Sequence, residues 1–173
     1  MQTVIISGRP ETAMAVYSAC SRYGGAVLCH NGRVYSTHKR PKYLLVGASE
    51  LKEPAPAGSI VVLDGGKDKL PLGSCITVID SGNVSSVSRA ADSGAVTVGC
   101  SASGRDTLTI SGVISEGNAL VSLGRRLKSV NGDSIEPCEI RVVTRDIYGC
   151  YPTLAASAVL LLSGEKGEDG FAF

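Results

Sequence analysis

The chain has 173 residues, of which 43% are hydrophobic and 19% charged, so we expect one domain with a packed core and not a disordered protein. Its formal net charge is +1, and it contains no Trp and two Phe, so it lacks the basic surface and the stacking rings typical of nucleic-acid binding. A signal sequence and an apolar run of bilayer length are both missing, which predicts a cytoplasmic protein without a membrane partner. The six cysteines have no zinc spacing, and we expect reduced, structural thiols.

Continuous apolar runs separated by helical segments fill the first hundred residues. Six runs predict strands that are buried on both faces, at residues 3–8, 26–30, 43–48, 59–64, 74–80 and 95–100. Helices are predicted at residues 11–23 and 83–93. Their inward faces are predicted to carry Ala13, Ala15, Val16, Ala19 and Cys20 in the first helix and Val84, Val87 and Ala91 in the second. Asn31-Gly32 predicts a turn, and the basic, polar stretch at residues 33–42 is assigned to no strand or helix.

The pattern changes after residue 101. Residues 105–145 alternate polar and apolar positions with Gly or Asn-Gly between them, which predicts a small antiparallel β extension. Residues 151–163 predict a closing helix, and the glycine-rich residues 165–173 predict a flexible tail. We therefore predict a single α/β domain over residues 1–164. Its sheet is mostly parallel and Rossmann-like or P-loop-like within residues 1–104, with helices on both faces.

Small, polar and charged residues follow three of the predicted strands. In parallel α/β sheets the carboxyl ends of the strands, beside helix N-termini, are where ligands bind. The candidate ligand-binding set is Ser7, Gly8, Arg9, Asp64, Lys67, Asp80 and Asn83. Arg9 offers a cation for an anion, while the carboxylates and the lysine suit a cation or a sugar hydroxyl. The same residue types also serve as ordinary turn and N-cap residues, so that alternative stays open.

Three other groupings are weaker candidates for chemistry. Cys29, His30 and His38 lack a further ligand at metal-binding spacing. The basic residues 38–42 are interrupted by a proline and favour a solvated loop. Ser103 lies in SASGRD without a nearby base or a G-x-S-x-G elbow, which favours a turn. We assign no catalytic residue, no metal site and no cofactor.

The order of elements resembles the central, ATP-binding domain of the Mur ligase family, the enzymes that add amino acids to peptidoglycan precursors. The resemblance is best in three segments: ITVIDSGNVSSVSRAADSGAVTVGC at residues 76–100, DTLTISGVI at 106–114 and YPTLAASAVLLLSG at 151–164. The first half matches in layout, with a strand, a turn in the place of the phosphate loop, a helix and a strand, followed later by KYLLVGASE.

The departures from the family concern its ATP site. The phosphate loop G-x-x-x-x-G-K-[ST] is replaced by SGRPET, where Pro10 removes a backbone donor. Glu50 stands near the family's acidic magnesium ligand without the surrounding match, and Tyr151-Pro152 replaces the His-Asn pair that leads the last helix. The resemblance therefore implies a shortened, degenerate domain that does not transfer phosphate.

Three hypotheses follow for function. The first is a non-catalytic domain that binds a nucleotide-like small molecule or a protein partner. The second is a small enzyme with an unrecognised site at the strand ends. The third is a structural or oligomerising module, in which strands within residues 107–143 pair with a second copy.

Overall fold

The computed structural model describes residues 1–65 and 70–173 and contains thirteen strands and three α-helices within them. The amino-terminal elements are β1 (Gln2–Gly8), α1 (Pro10–Arg22), β2 (Ala26–His30), β3 (Arg33–Ser36), β4 (Tyr43–Gly47), a short 3-10 helix (Ala48–Glu50), β5 (Ile60–Asp64), β6 (Ile76–Asp80), α2 (Val84–Ser93) and β7 (Val96–Ser101). The later elements are β8 (Leu108–Ser115), β9 (Asn118–Leu123), β10 (Leu127–Lys128), β11 (Ser134–Ile135), β12 (Cys138–Val143), α3 (Cys150–Leu162) and β13 (Phe171–Ala172).

Eleven of these strands form one sheet in the order β13-β12-β9-β8-β7-β6-β5-β1-β4-β2-β3, and β10 pairs with β11 apart from it. Pairing is parallel across the centre, from β2 and β4 through β1, β5 and β6 to β7. The predicted mixed α/β fold with a mostly parallel sheet and an antiparallel extension is confirmed. β8 joins the two parts, because it pairs parallel with β7 and antiparallel with β9.

The main core lies between one face of the sheet and the pair α1 and α3, which contact each other. The predicted inward face of α1 is confirmed, since Ala13, Ala15, Val16, Ala19 and Cys20 are all buried. α3 is buried along almost its whole length, from Tyr151 to Leu162. A helix that is apolar on every side suits this position, because it is covered by the sheet, by α1 and by the surrounding loops.

The opposite face of the sheet is covered by α2 and by the loops around residues 51–58 and 70–75. The predicted inward face of α2 is wrong: Val84 is 80% exposed and Val87 40% exposed, and Ala91 is exposed as well. Ser86 and Ala90 are the buried residues instead. The Ser86 hydroxyl donates to the Leu63 carbonyl and accepts from the Gly65 amide, and these bonds fix the rotation of the helix. The hydrogen bonds of Ser86 to the end of β5, and not the spacing of the apolar residues in α2, therefore determine which face of the helix is buried.

The basic stretch at residues 33–42 begins with β3, a strand that was not predicted. Asn31 and Gly32 have φ of 50° and 68°, and this two-residue turn folds β3 back onto β2. Asn-Gly favours such turns because both positions need positive φ. The charged composition of the segment obscured the strand that the turn implies.

The segment predicted to be a flexible tail contributes to the sheet. β13 pairs parallel with β12, and Phe171 and Phe173 are each 2% exposed. The Phe171 ring meets the Tyr23 ring edge-on at 5.5 Å, and Glu165 accepts hydrogen bonds from Lys42 and Tyr43. Phe171 thus packs this polar, glycine-rich stretch against the end of α1, and Glu165 bonds it to the start of β4.

The strands proposed to pair with a second copy are largely used within the chain. β8, β9 and β12 each have neighbours on both sides in the sheet, which leaves β3 and β13 at its outer edges.

The prediction about cysteines holds in part. All six thiols are free, with Cys20, Cys75 and Cys100 buried, but Cys138 and Cys150 are exposed.

Candidate functional site

The candidate site lies at the carboxyl edge of the central strands, where β1, β5 and β6 end beside the N-termini of α1, α2 and α3. The connection from β1 to α1 is a single residue, Arg9, which is the N-cap of the helix. Pro10 is the first helical residue, so one backbone donor is missing at this end. This connection is too short to wrap a phosphate group in backbone amides.

The Asp64 carboxylate occupies the space at the N-terminus of α1. It accepts hydrogen bonds from Arg9 Nε and Nη2, both at 2.9 Å, and from the Thr12 hydroxyl. The Asp64 side chain is 3% exposed, whereas that of Arg9 is 57% exposed. The hydrogen bonds and charge of Asp64 raise the pKa of Arg9. A carboxylate of the chain therefore lies where a helix N-terminus attracts an external anion.

Gly8 allows this close approach of β1 to the end of β5. Its φ is 153°, and a Cβ at this position would lie 2.5 Å from the Asp64 Cβ and 2.7 Å from the Asp64 carbonyl oxygen. A side chain at this position would push Asp64 away from α1. The sequence pattern predicted that Gly8 and Asp64 belong to the site, but it did not predict the close contact between them.

The other predicted site residues serve local structure. Ser7 is fully buried, and its hydroxyl lies 3.1 Å from Arg89 Nη1. Asp80 accepts from the Gly82 amide, and Asn83 caps α2 by accepting from the Ser86 amide. Lys67 lies outside the described residues. The structure thus brings Arg9 and Asp64 together, whereas Asp80 and Asn83 are engaged in their own turns.

Tyr151, in the first turn of α3, points into the protein. Its hydroxyl lies 2.8 Å from the Leu63 carbonyl oxygen and 3.1 Å from that of Val78, so its one proton is shared between carbonyls of β5 and β6. Burial raises the pKa of Tyr151 well above its usual range. The residue in place of the family's helix-leading histidine is therefore part of the core.

We expect Tyr151→Phe to lower the free energy of unfolding by about 1–2 kcal/mol near neutral pH, because the carbonyls of Leu63 and Val78 lose the buried phenol as a donor. The folded protein keeps the phenol proton to a higher pH than the unfolded chain, whose tyrosines ionise near pH ~10. The free energy of unfolding of the wild type therefore falls above that pH, and the difference in free energy of unfolding between the wild type and Tyr151→Phe should become smaller. Urea unfolding at neutral and alkaline pH measures both effects. Tyr35→Phe is the control, since Tyr35 lies on an exposed strand and is 38% exposed; a difference in free energy of unfolding that is constant with pH would contradict the expectation.

Thiol and serine chemistry finds little support at this edge. Desolvation by the surrounding protein raises the pKa of the Cys150 thiol, and the charge of Asp80 raises it further, which disfavours a reactive thiolate. Asp106 accepts hydrogen bonds from Ser81 and Ser101. Ser101 and Asp106 both lie in SASGRD, whereas the contact with Ser81 was not predicted because Ser81 lies 25 residues earlier in the chain. Within the described residues, no group of three or more His, Cys, Asp or Glu is placed to hold a metal ion.

A cleft of about 470 Å³ opens beside the Arg9–Asp64 pair, between the ends of β1, β2, β4 and β5. Its lining includes Arg9, His30, Asn31 and Ser49. Both ring nitrogens of His30 are buried and have no hydrogen-bond partner within residues 1–65 and 70–173. From the sequence, His30 was considered only as a metal ligand, and its place in this cleft was missed. Glu50 was noted in the sequence because it stands near the place of the Mur ligase family's magnesium ligand. Its carboxylate accepts a hydrogen bond from the Gly32 amide at 2.9 Å.

None of the helices within residues 1–65 and 70–173 combines the length and the apolar composition that a bilayer span requires. No protein-family model matches the sequence, and no curated protein is similar enough to count as a match. Comparison with known proteins is therefore informative at the level of structure.

Two solved structures show the similarity. UDP-N-acetylmuramoyl-L-alanyl-D-glutamate–2,6-diaminopimelate ligase matches with a TM-score of 0.54 and 7% identity, over 93% of this chain and 42% of that one. A bifunctional folylpolyglutamate synthase/dihydrofolate synthase with Mn, AMPPNP and L-glutamate bound matches with a TM-score of 0.53 and 10% identity, over 97% of this chain and 55% of that one. The resemblance to Mur ligases is thus confirmed for the fold, and this chain spans about half the length of each neighbour.

Proposed function

We propose that this chain is a non-catalytic, cytoplasmic domain of Mur ligase-like fold that binds a small nucleotide-like ligand in the cleft beside Arg9. The observation that carries the non-catalytic part of the proposal is the Asp64 carboxylate at the N-terminus of α1, held there by Arg9 and Thr12. Because the helix end already faces a negative charge, a triphosphate there would be repelled rather than neutralised.

Loss of phosphoryl transfer follows from the same residues. That chemistry depends on donors and cations that position the phosphates and neutralise their charge. Here the turn from β1 to α1 contains Pro10 in place of a donor, and both bonds of the Arg9 fork go to Asp64. Tyr151 is turned inward to the ends of β5 and β6. We infer that the domain has become degenerate as an ATP site.

A binding role is supported by the polar groups that line the cleft. Buried polar atoms are normally hydrogen-bonded, so the two nitrogens of His30 favour a bound partner such as a ring nitrogen or hydroxyl group. The exposed flank of Arg9 and the Asn31 amide add further polar contacts. The folylpolyglutamate synthase neighbour has AMPPNP bound in its structure, which makes nucleotides the first class to test.

Thermal-shift measurements with ATP, UDP and UDP-sugars test the proposal directly. We expect at least one of these nucleotides to raise the melting temperature, and His30→Ala to abolish that shift by removing the buried ring. His38→Ala is the matched control, because His38 is exposed and lies outside the cleft. We also expect no magnesium-dependent ATP hydrolysis. Hydrolysis would refute the non-catalytic assignment, and indifference to every nucleotide would refute the ligand-binding assignment.

A further inference from the structure

The outer edge of β3 combines an unpaired strand with a basic surface. β3 pairs with β2 on one side, and within the described residues nothing pairs with its other side. Residues 31–40 are all exposed, and Val34 is 70% exposed. Residues 31–42 contain four Lys or Arg residues and no Asp or Glu. Of these cations, Lys42 pairs with Glu165, whereas Arg33, Lys39 and Arg40 form no ion pair with the described residues.

The hydrogen-bond pattern shows which backbone groups face outward. The Thr37 amide donates to the Ala26 carbonyl, so residues 33, 35 and 37 are the ones that bond to β2. Antiparallel pairing alternates such residues with residues whose N–H and C=O point away. The amides and carbonyls of Val34 and Ser36 therefore face the open edge, where an additional strand can bind them.

The edge is held in place before any partner arrives. The Gly32 amide donates to Glu50 Oε1 at 2.9 Å, which fixes the tip of the β2–β3 hairpin to the 3-10 helix. The Tyr35 ring lies 6.2 Å from the Tyr17 ring, which joins β3 to α1. An ordered edge loses little conformational entropy when a strand is added to it.

We infer that this edge binds an acidic, extended segment of a partner protein, which adds to the sheet as a strand beside β3. Main-chain hydrogen bonds to Val34 and Ser36 would supply affinity, and the surrounding cations would select an acidic sequence. A second copy of the chain is disfavoured as occupant, because pairing two such edges would bring the two basic segments together. The inference does not depend on the ligand cleft or on a nucleotide.

The test uses a fluorescent peptide of about eight residues that alternates Glu and Val, with a Lys-Val peptide as its counterpart. We expect the acidic peptide to bind at least about tenfold more tightly, and its binding to weaken as salt rises from about 0.05 M to about 0.5 M. Hydrogen exchange should slow at the amides of Val34 and Ser36 when the acidic peptide is present. Equal binding of both peptides, or no binding of either, would overturn the inference.

Two variants separate the backbone contribution from the charge contribution. Val34→Pro removes an outward N–H that β2 does not use, so the fold should persist while peptide binding is lost. Val34→Thr retains the amide and a β-branched side chain, and it should bind like wild type. Lys39→Glu with Arg40→Glu should abolish the preference for the acidic peptide even if Val34→Pro proves unstable. Undiminished binding by folded Val34→Pro, or a wild-type dimer in sedimentation that Val34→Pro dissociates, would refute the proposed occupant.

Discussion

Gly8→Ala should destabilise the protein by about 3–5 kcal/mol, since a side chain at this position combines overpacking with a strained backbone. The new Cβ would meet Asp64 at its Cβ, its Cα and its carbonyl oxygen, all within 2.9 Å. Two of these atoms are backbone atoms of β5, which is paired on both sides and cannot move aside cheaply. Urea unfolding with far-UV circular dichroism measures the loss.

Two other glycines of the chain separate the contributions to that loss. Gly58 has φ of 76°, and a Cβ added there would have nothing within 4 Å, so Gly58→Ala should cost the backbone strain alone, about 1–2 kcal/mol. Gly104 also has open space, and its φ lies outside the left-handed region, so Gly104→Ala should be nearly neutral. A Gly8→Ala variant as stable as Gly58→Ala would show that β1 and β5 do not meet as closely as described.

Asp64→Ala is expected to cost about 2–4 kcal/mol, because it leaves the buried Thr12 hydroxyl without its acceptor and removes both partners of the Arg9 fork. The exposure of Arg9 keeps the loss below that of a fully buried pair. Glu136→Ala is the control: its ion pair with Arg126 is more than half exposed on both sides, with 66% and 62% exposure, and should contribute less than about 1 kcal/mol.

The same variant tests whether Asp64 stands in for an external anion. Removing the carboxylate leaves Arg9 and the N-terminus of α1 facing open space, which favours an incoming anion. Inorganic phosphate should therefore stabilise Asp64→Ala against heat while leaving wild type unchanged. Equal stabilisation of both proteins by phosphate would show that the carboxylate does not occupy an anion position.

The central sheet was predictable because its signal is local. The run TVIISG, the helix that follows it and the later apolar runs specify buried strands and a covering helix without reference to distant residues. β3 was missed because it is short and lies in a basic stretch, although Asn31-Gly32 already predicts the hairpin. β13 was missed because Phe171 and Phe173 are isolated anchors with no periodic pattern.

The site was predictable in position but not in its contacts. The rule that ligands bind at strand carboxyl ends located Arg9 and Asp64, yet their bond joins residues far apart along the chain. The burial of the His30 nitrogens depends on β4, whose Gly47 leaves room for the ring, and no spacing within the sequence encodes that arrangement. Tertiary contacts of this kind also decided the rotation of α2, where Ser86 replaced the expected valines at the buried face.

The burial of α3 between the sheet and α1 has a consequence for how the chain assembles. During synthesis the strands made first expose an apolar face that is fully covered only when residues 150–173 have been made. The early part of the polypeptide therefore cannot finish folding before the late part is synthesised. Contacts so distant in sequence slow folding and prolong the period in which uncovered strands can associate with other molecules. Newly made chains are therefore expected to need protection by chaperones until α3 docks.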